Sequence, residues 1–115
     1  MAKLILWNIY VPTHDNEGKK FEDEYHKKWD AFVQKITKGL TIQKISKGIW
    51  INPTDRKYEE NVIPVKIACT KNQIEIIADY TAEHYGQEAI MYYIVSKDVF
   101  IINYDTKLNF KRKTI

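Results

Sequence analysis

The chain has 115 residues, 44% of them hydrophobic and 13% aromatic, enough for one domain with a buried core, too short for two, and too apolar for wholesale disorder. Its net charge of +3 comes entirely from Lys107, Lys111, Arg112 and Lys113, because residues 1–106 carry a net −1. Sixteen of the basic side chains are Lys and only two are Arg, which suits surface solvation and disfavours a body built for bidentate phosphate or base recognition.

Lys3 to Val11 is rich in β-branched and aromatic residues and stops at Pro12, the pattern of a strand. This apolar stretch is too short to span a bilayer, and Asn8 interrupts it. Thr13-His14-Asp15-Asn16-Glu17-Gly18 reads as a polar loop. Phe21, Tyr25, Trp29, Phe32, Val33 and Ile36 then recur at spacings of three and four, predicting a helix whose apolar face leaves His26 toward solvent. Gly39 is its expected stop.

Leu40 to Ile51 is strand-like, with Lys47-Gly48 as either a bulge or a tight turn. Asn52 to Glu60 reads as a loop, and Asn61 to Thr70 as a strand that Pro64 assigns to an edge or a bulge. Asn72 with Glu75 suggests a capping box opening a second helix, along which Ile74, Ile77, Ala78, Thr81 and Tyr85 share a face before Gly86. Gln87 to Val95 is a further strand, and Ser96-Lys97-Asp98 turns the chain toward another, Val99 to Tyr104. The expected organisation is one domain over 1–106 and a basic tail over 107–115. Cys69, the single cysteine, sits in an apolar run. A buried, inert thiol in a cytoplasmic protein is the expectation.

The order strand-helix-strand-strand-helix-strand, plus an extra C-terminal strand, predicts a ferredoxin-like α+β sandwich with an antiparallel sheet. Two helices cover one face of such a sheet. Ile5, Trp7 and Ile9 alternate with Leu4, Leu6 and Tyr10, and Ile90, Tyr92 and Ile94 alternate with Met91, Tyr93 and Val95, so both faces are apolar. Another subunit, the C-terminal segment or a ligand is expected to cover the second face, with a homodimer through the sheet as the leading choice. The topology also gathers polar loops at one end of the sheet, provided Leu40 to Ile51 is one bulged strand.

Asp15-Asn16-Glu17-Gly18, Gly39-Leu40-Thr41, Gly48-Ile49-Trp50 and Gln87-Glu88 resemble motifs of small uncharacterised bacterial and phage proteins with a D-N-x-G, G-L-T, G-x-W and Q-E pattern. Lys38 stands where a glycine often precedes Gly-Leu-Thr. The resemblance implies a ferredoxin-like dimer and no particular reaction.

Within the loop-rich end, Trp50, Asn52, Arg56, Glu60, His84, Tyr85 and Gln87 could bind a small polar ligand by stacking, charge and hydrogen bonds. Binding or sequestering such a molecule in a homo-oligomer is the leading expectation, with a nucleotide-like ligand as one form of it. His14, Asp15 and His84 are the catalytic candidates for an alternative hydrolase or isomerase in which a histidine works with a carboxylate. No histidine pair has metal-helix spacing, so no metal and no cofactor is assigned. A nucleic-acid adaptor acting through Lys107-Leu108-Asn109-Phe110-Lys111-Arg112-Lys113 is the remaining alternative, since basic and aromatic groups interleave there.

Overall fold

The computed structural model describes residues 3–108 and 111–112; Asn109, Phe110 and Lys113 of the basic tail lie outside them. The elements are β1 (Ile5–Pro12), α1 (Asp23–Thr37), β2 (Thr41–Ile42), β3 (Ser46–Ile51), β4 (Lys57–Cys69), α2 (Lys71–Tyr85), β5 (Tyr92–Ser96), β6 (Tyr104–Asp105), a single 3-10 turn over Thr106–Leu108, and β7 (Lys111–Arg112). β1 lies at the centre, antiparallel to β4 on one side and β5 on the other, and β2 and β3 both run against the far edge of β4. This is the expected antiparallel α+β sandwich.

Leu40 to Ile51 is one strand with a break in it. Gln43, Lys44 and Ile45 stand opposite only Ile63 and Pro64, so one extra residue is inserted between β2 and β3. Pro64 explains the position of the break. Its carbonyl accepts from the Gln43 N–H, so its backbone faces the β2–β3 side, and the N–H that proline lacks falls where that strand is already interrupted. Proline is thereby accommodated in a central, buried position of the sheet. Lys47 and Gly48 lie inside β3, and the turn comes later, at Asn52–Arg56.

Trp7, Ile9 and Val11 of β1, with Val65, Ile67 and Cys69 of β4, face the helices and are buried against Trp29 and Val33 of α1 and Ile74, Ile77 and Tyr85 of α2. The cap of α2 lies two residues before the one expected. Thr70 accepts from the Gln73 N–H while the Gln73 carboxamide accepts from the Thr70 N–H. Gln73 also donates to the Ile36 carbonyl at the end of α1, a tie between the helices that Asn72 and Glu75 could not make. α1 stops one residue before Gly39, with Lys38 in the left-handed conformation at φ 73°.

Two segments leave this body. β4 pairs with β1 only as far as Val62 opposite Pro12, so the five residues 57–61 carry the β3–β4 hairpin ~17 Å further at ~3.3 Å per residue. At the C-terminal end, Val99 to Asn103 does not fold back along β5 as expected; the only strand beyond β5 on this segment, β6, pairs with β7 alone. The radius of gyration is 17.0 Å, against ~13 Å for a compact chain of this size.

Lys38→Gly should raise stability by roughly 0.5–1 kcal/mol in chemical denaturation, because glycine adopts the left-handed conformation without the side-chain penalty and returns part of the gain as unfolded-state entropy. A destabilised variant would show that the lysine side chain contributes more than its backbone costs.

Candidate functional site

The seam between α1 and α2 is aromatic along its outer edge. Phe32 stacks on Tyr80 at 3.8 Å between centroids, Tyr80 on His84 at 5.2 Å, His84 on Tyr25 at 4.2 Å, and Tyr25 on Phe21 at 5.2 Å. Rings from the two helices, joined by Phe21 just ahead of α1, thus form a continuous ladder across the seam. The His84 Nε2–H donates to the Tyr25 carbonyl at 2.8 Å. Beneath the ladder, the Trp29 indole N–H donates to Thr81 Oγ1 at 2.8 Å and the Thr81 hydroxyl passes its own proton to the Ile77 carbonyl. Both residues are fully buried. Stranding either group would cost about 1–3 kcal/mol, so this relay fixes how far α1 can slide along α2.

Where this seam meets the sheet, a cavity of about 130 Å³ opens. Val11, Trp29, Ile63 and Val65 make its apolar floor, Ile42 stands at the sheet edge, and His26, Asp30 and Tyr85 supply the polar wall. The placement of His26 corrects the expectation that it faces solvent. It is half-buried, its Nδ1 shares a 2.7 Å hydrogen bond with the Tyr85 hydroxyl, and it lies edge-on to Phe21. His26, Trp29, Asp30 and Val33 fall on one helical stripe. The stripe that looked most apolar in sequence includes Tyr25 and Phe32, which serve the helix–helix ladder instead.

Burial dominates the electrostatics. Desolvation pulls His26 below its ordinary value, against the attraction of Asp30 and Asp23. Desolvation also raises the Asp30 carboxyl, with His26 opposing. Tyr85 is held protonated by burial and by the charge of Asp30. Among the described residues Asp30 has no hydrogen-bond or ion-pair partner. The wall therefore offers a neutral imidazole, a phenol that keeps its proton and a carboxylate without a counter-charge.

The residues expected to form a site divide into two groups. His84, Tyr85 and Gln87 are at the cavity end of α2: Tyr85 lines the cavity, His84 belongs to the ladder, and the Gln87 carboxamide donates to the Tyr85 carbonyl. The His14 loop joins this end through Asn16, which donates to the Gly86 carbonyl. Asp15 accepts from the backbone of Glu17 and Lys19 and so holds its own turn, while His14 is exposed and bonds Thr13 Oγ1 through Nδ1. Among the described residues neither His14 nor His84 bonds a carboxylate. The remaining four lie on the projecting hairpin. Trp50 stacks on Tyr58 at 4.5 Å, Arg56 sits 5.0 Å over the other partner, Tyr58, Asn52 closes the turn by accepting from Thr54 and Arg56, and Glu60 is exposed opposite Gly48. Hairpin and cavity are thus separate places.

A second, open groove of about 390 Å³ runs between α2 and β5, lined by Glu75, Asp79, Ala78, Ala82, Ile90 and Tyr92. Neither concavity is lined by lysine or arginine. Among the described residues no group of three or more His, Cys, Asp and Glu could hold a metal ion, and no helix is long and apolar enough to cross a membrane. Cys69 is buried, which pushes its thiol up to about 11.

No protein-family model matches the chain, and a search of curated proteins finds no match. Solved structures do share its fold. A phage SAM lyase in complex with S-methyl-5'-thioadenosine superposes with a TM-score of 0.63 at 12% identity over 84% of both chains. CutA1 from a psychrotrophic Shewanella gives 0.61 at 11% identity, covering 94% of this chain and 91% of that one. The divalent cation tolerance protein CutA1 from Thermus thermophilus gives 0.60 at 8% identity, covering 92% and 91%. At such identities the likeness is one of fold.

The His26 environment sets a pH dependence. The unfolded chain takes up a proton near the ordinary value of 6.5 that the folded chain resists, so stability falls as pH drops through that value. Asp30 acts oppositely and in a lower window, because its carboxyl is raised from 3.8 and the folded state keeps its proton longer. Thermal melts should show Tm declining from about pH 7.5 to about pH 5.5, with a shallower decline in His26→Gln. Equal slopes would mean that His26 takes a proton as readily when folded.

Proposed function

We propose that this protein binds a small molecule as a homo-oligomer, and that one end of the ligand enters the cavity walled by His26, Asp30 and Tyr85. Asp30 is the observation that carries this: a partly desolvated carboxylate without a partner, at the wall of an otherwise apolar cavity. Such a group favours a ligand with an apolar body and a cationic or N–H donor group. A cavity of about 130 Å³ admits a ring or a short chain, and the rest of the ligand would lie outward, past the exposed Ile42.

The absence of lysine and arginine from both concavities weighs against a phosphate. The nucleotide-like expectation is therefore narrowed to a nucleoside-like ligand without phosphates. The phage SAM lyase, which shares the fold and holds S-methyl-5'-thioadenosine, supports that choice of class. Binding or sequestration in the cytoplasm needs no turnover. The alternative of catalysis by His14 or His84 with a carboxylate has less behind it, since the hydrogen bonds of both histidines go elsewhere.

The oligomer is supported by the sheet face that the helices leave bare. Leu4, Met91, Tyr93 and Val95 are exposed there, and a second copy of the chain would cover them.

A thermal-shift series with nucleosides and thioether nucleosides should contain compounds that raise Tm. For such a compound Asp30→Asn should weaken binding roughly ten- to a hundredfold in calorimetry, the loss of one charge-assisted hydrogen bond, while folding at least as well as the wild type. No shift across the series, or unchanged affinity in Asp30→Asn, would contradict the proposal.

A further inference from the structure

Val99 to Asn103 forms no helix or turn, has no ladder partner among the described residues, and presents Phe100 at 86% and Ile101 at 65% exposure. A run of five residues with this much β-branched and aromatic surface is strand material left unpaired. The β3–β4 hairpin shows the complementary defect. It is a two-stranded ribbon beyond the end of β1, its β3 edge has no ladder partner among the described residues, and Ile49 and Ile51 are 56% and 63% exposed. A two-stranded ribbon is marginal in water and is stabilised by a third strand.

We propose that Val99–Tyr104 of one copy adds as an antiparallel third strand to the free edge of β3 in a second copy. The register that fits sets Val99 against Ile51, Ile101 against Ile49, Phe100 against Trp50, and Ile102 against Gly48. Pairing in this register segregates the two faces of the hairpin. Val99 and Ile101 join Ile49 and Ile51 on one face, extending their apolar pair away from Glu59 and Lys57 on β4. Phe100 joins the Trp50–Tyr58 stack on the other, where Gly48 provides no side chain and leaves room for Ile102. A slip by one residue would set Phe100 and Ile102 against the aliphatic pair.

Charge agrees at both ends. Asp98 and Asp105 bracket the donated strand. Antiparallel pairing brings Asp98 toward Arg56, which has no carboxylate partner among the described residues, and Asp105 toward Lys44 and Lys47. Lys47 already pairs with Glu59 at 3.3 Å, and Asp98 makes one long, exposed contact of 3.8 Å with Lys3. These ion pairs set direction more than strength.

The proposal rests on the oligomeric part of the function above, and neither on its sheet-face contact nor on its ligand. The test is disulfide cross-linking of full-length single-cysteine additions, with buried Cys69 left in place. Mixing Ile49→Cys with Ile101→Cys protein under mild oxidation should give a covalent dimer containing one of each. Ile49→Cys mixed with Ile102→Cys, one residue out of register, should give several-fold less. Tyr93→Cys alone reports on the sheet face. Phe100→Asp/Ile102→Asp should sediment as a smaller species than wild type while keeping its helical circular dichroism. A Tyr93 dimer without the mixed 49–101 dimer would overturn strand exchange and leave the oligomer standing. A wild-type monomer in sedimentation would overturn both.

Discussion

Two helices can shield one face of a five-stranded sheet, and the rest of this molecule follows from that geometric limit. Trp7, Ile9 and Val11 point into the shielded layer and are buried, whereas on the opposite face Leu4, Tyr93 and Val95 are exposed beside the buried Asn8. A monomer built this way exposes apolar surface on three features at once: the bare sheet face, the projecting hairpin and the C-terminal arm. Burying such surface is the dominant favourable term in association, so the fold carries a drive toward self-assembly before any ligand is considered.

The shielded side is organised by the helix–helix seam. The Trp29–Thr81 hydrogen bond and the ring ladder fix the seam, and the cavity lies where the seam meets the sheet. There the floor is aliphatic and the wall is polar. His26 and Tyr85 satisfy each other through their hydrogen bond, whereas the partly desolvated Asp30 carboxylate costs stability when ionised. A desolvated carboxylate at a cavity wall is a group that a ligand can complete.

Much of the fold was legible in the residues. The three-four spacing of Ile74, Ile77, Ala78, Thr81 and Tyr85 named the buried face of α2 in full, and Pro64 marked a real interruption, located on the neighbouring strand. The cap of α2 was misplaced because Thr70-x-x-Gln73 and Asn72-x-x-Glu75 are both plausible boxes, and the choice between them is made by the contact of Gln73 with α1. His26 was misjudged for a similar reason. Aromatic residues define a helix face without saying whether they pack on the sheet or on the other helix, and assigning Tyr25 and Phe32 to the core turned His26 outward. Leu40 to Ile51 and Asn61 to Thr70 were legible as strands, but Lys57 to Glu60, expected as loop, extend β4 past the end of β1, so Trp50, Asn52, Arg56 and Glu60, grouped with His84, lie on a separate arm. Val99 to Asn103 has the composition of a strand and lacks a ladder partner among the described residues.

The central claim is that the isolated monomer is incomplete, because its surfaces require another copy and its polar cavity a ligand. Native mass spectrometry of the full-length protein, purified without added small molecules, tests it most directly. The account predicts an integral multiple of the chain mass, with a further small mass that dissociates on activation and is lost in Asp30→Asn. A bare monomer at about ten micromolar, a concentration at which interfaces of ordinary strength are occupied, would contradict it.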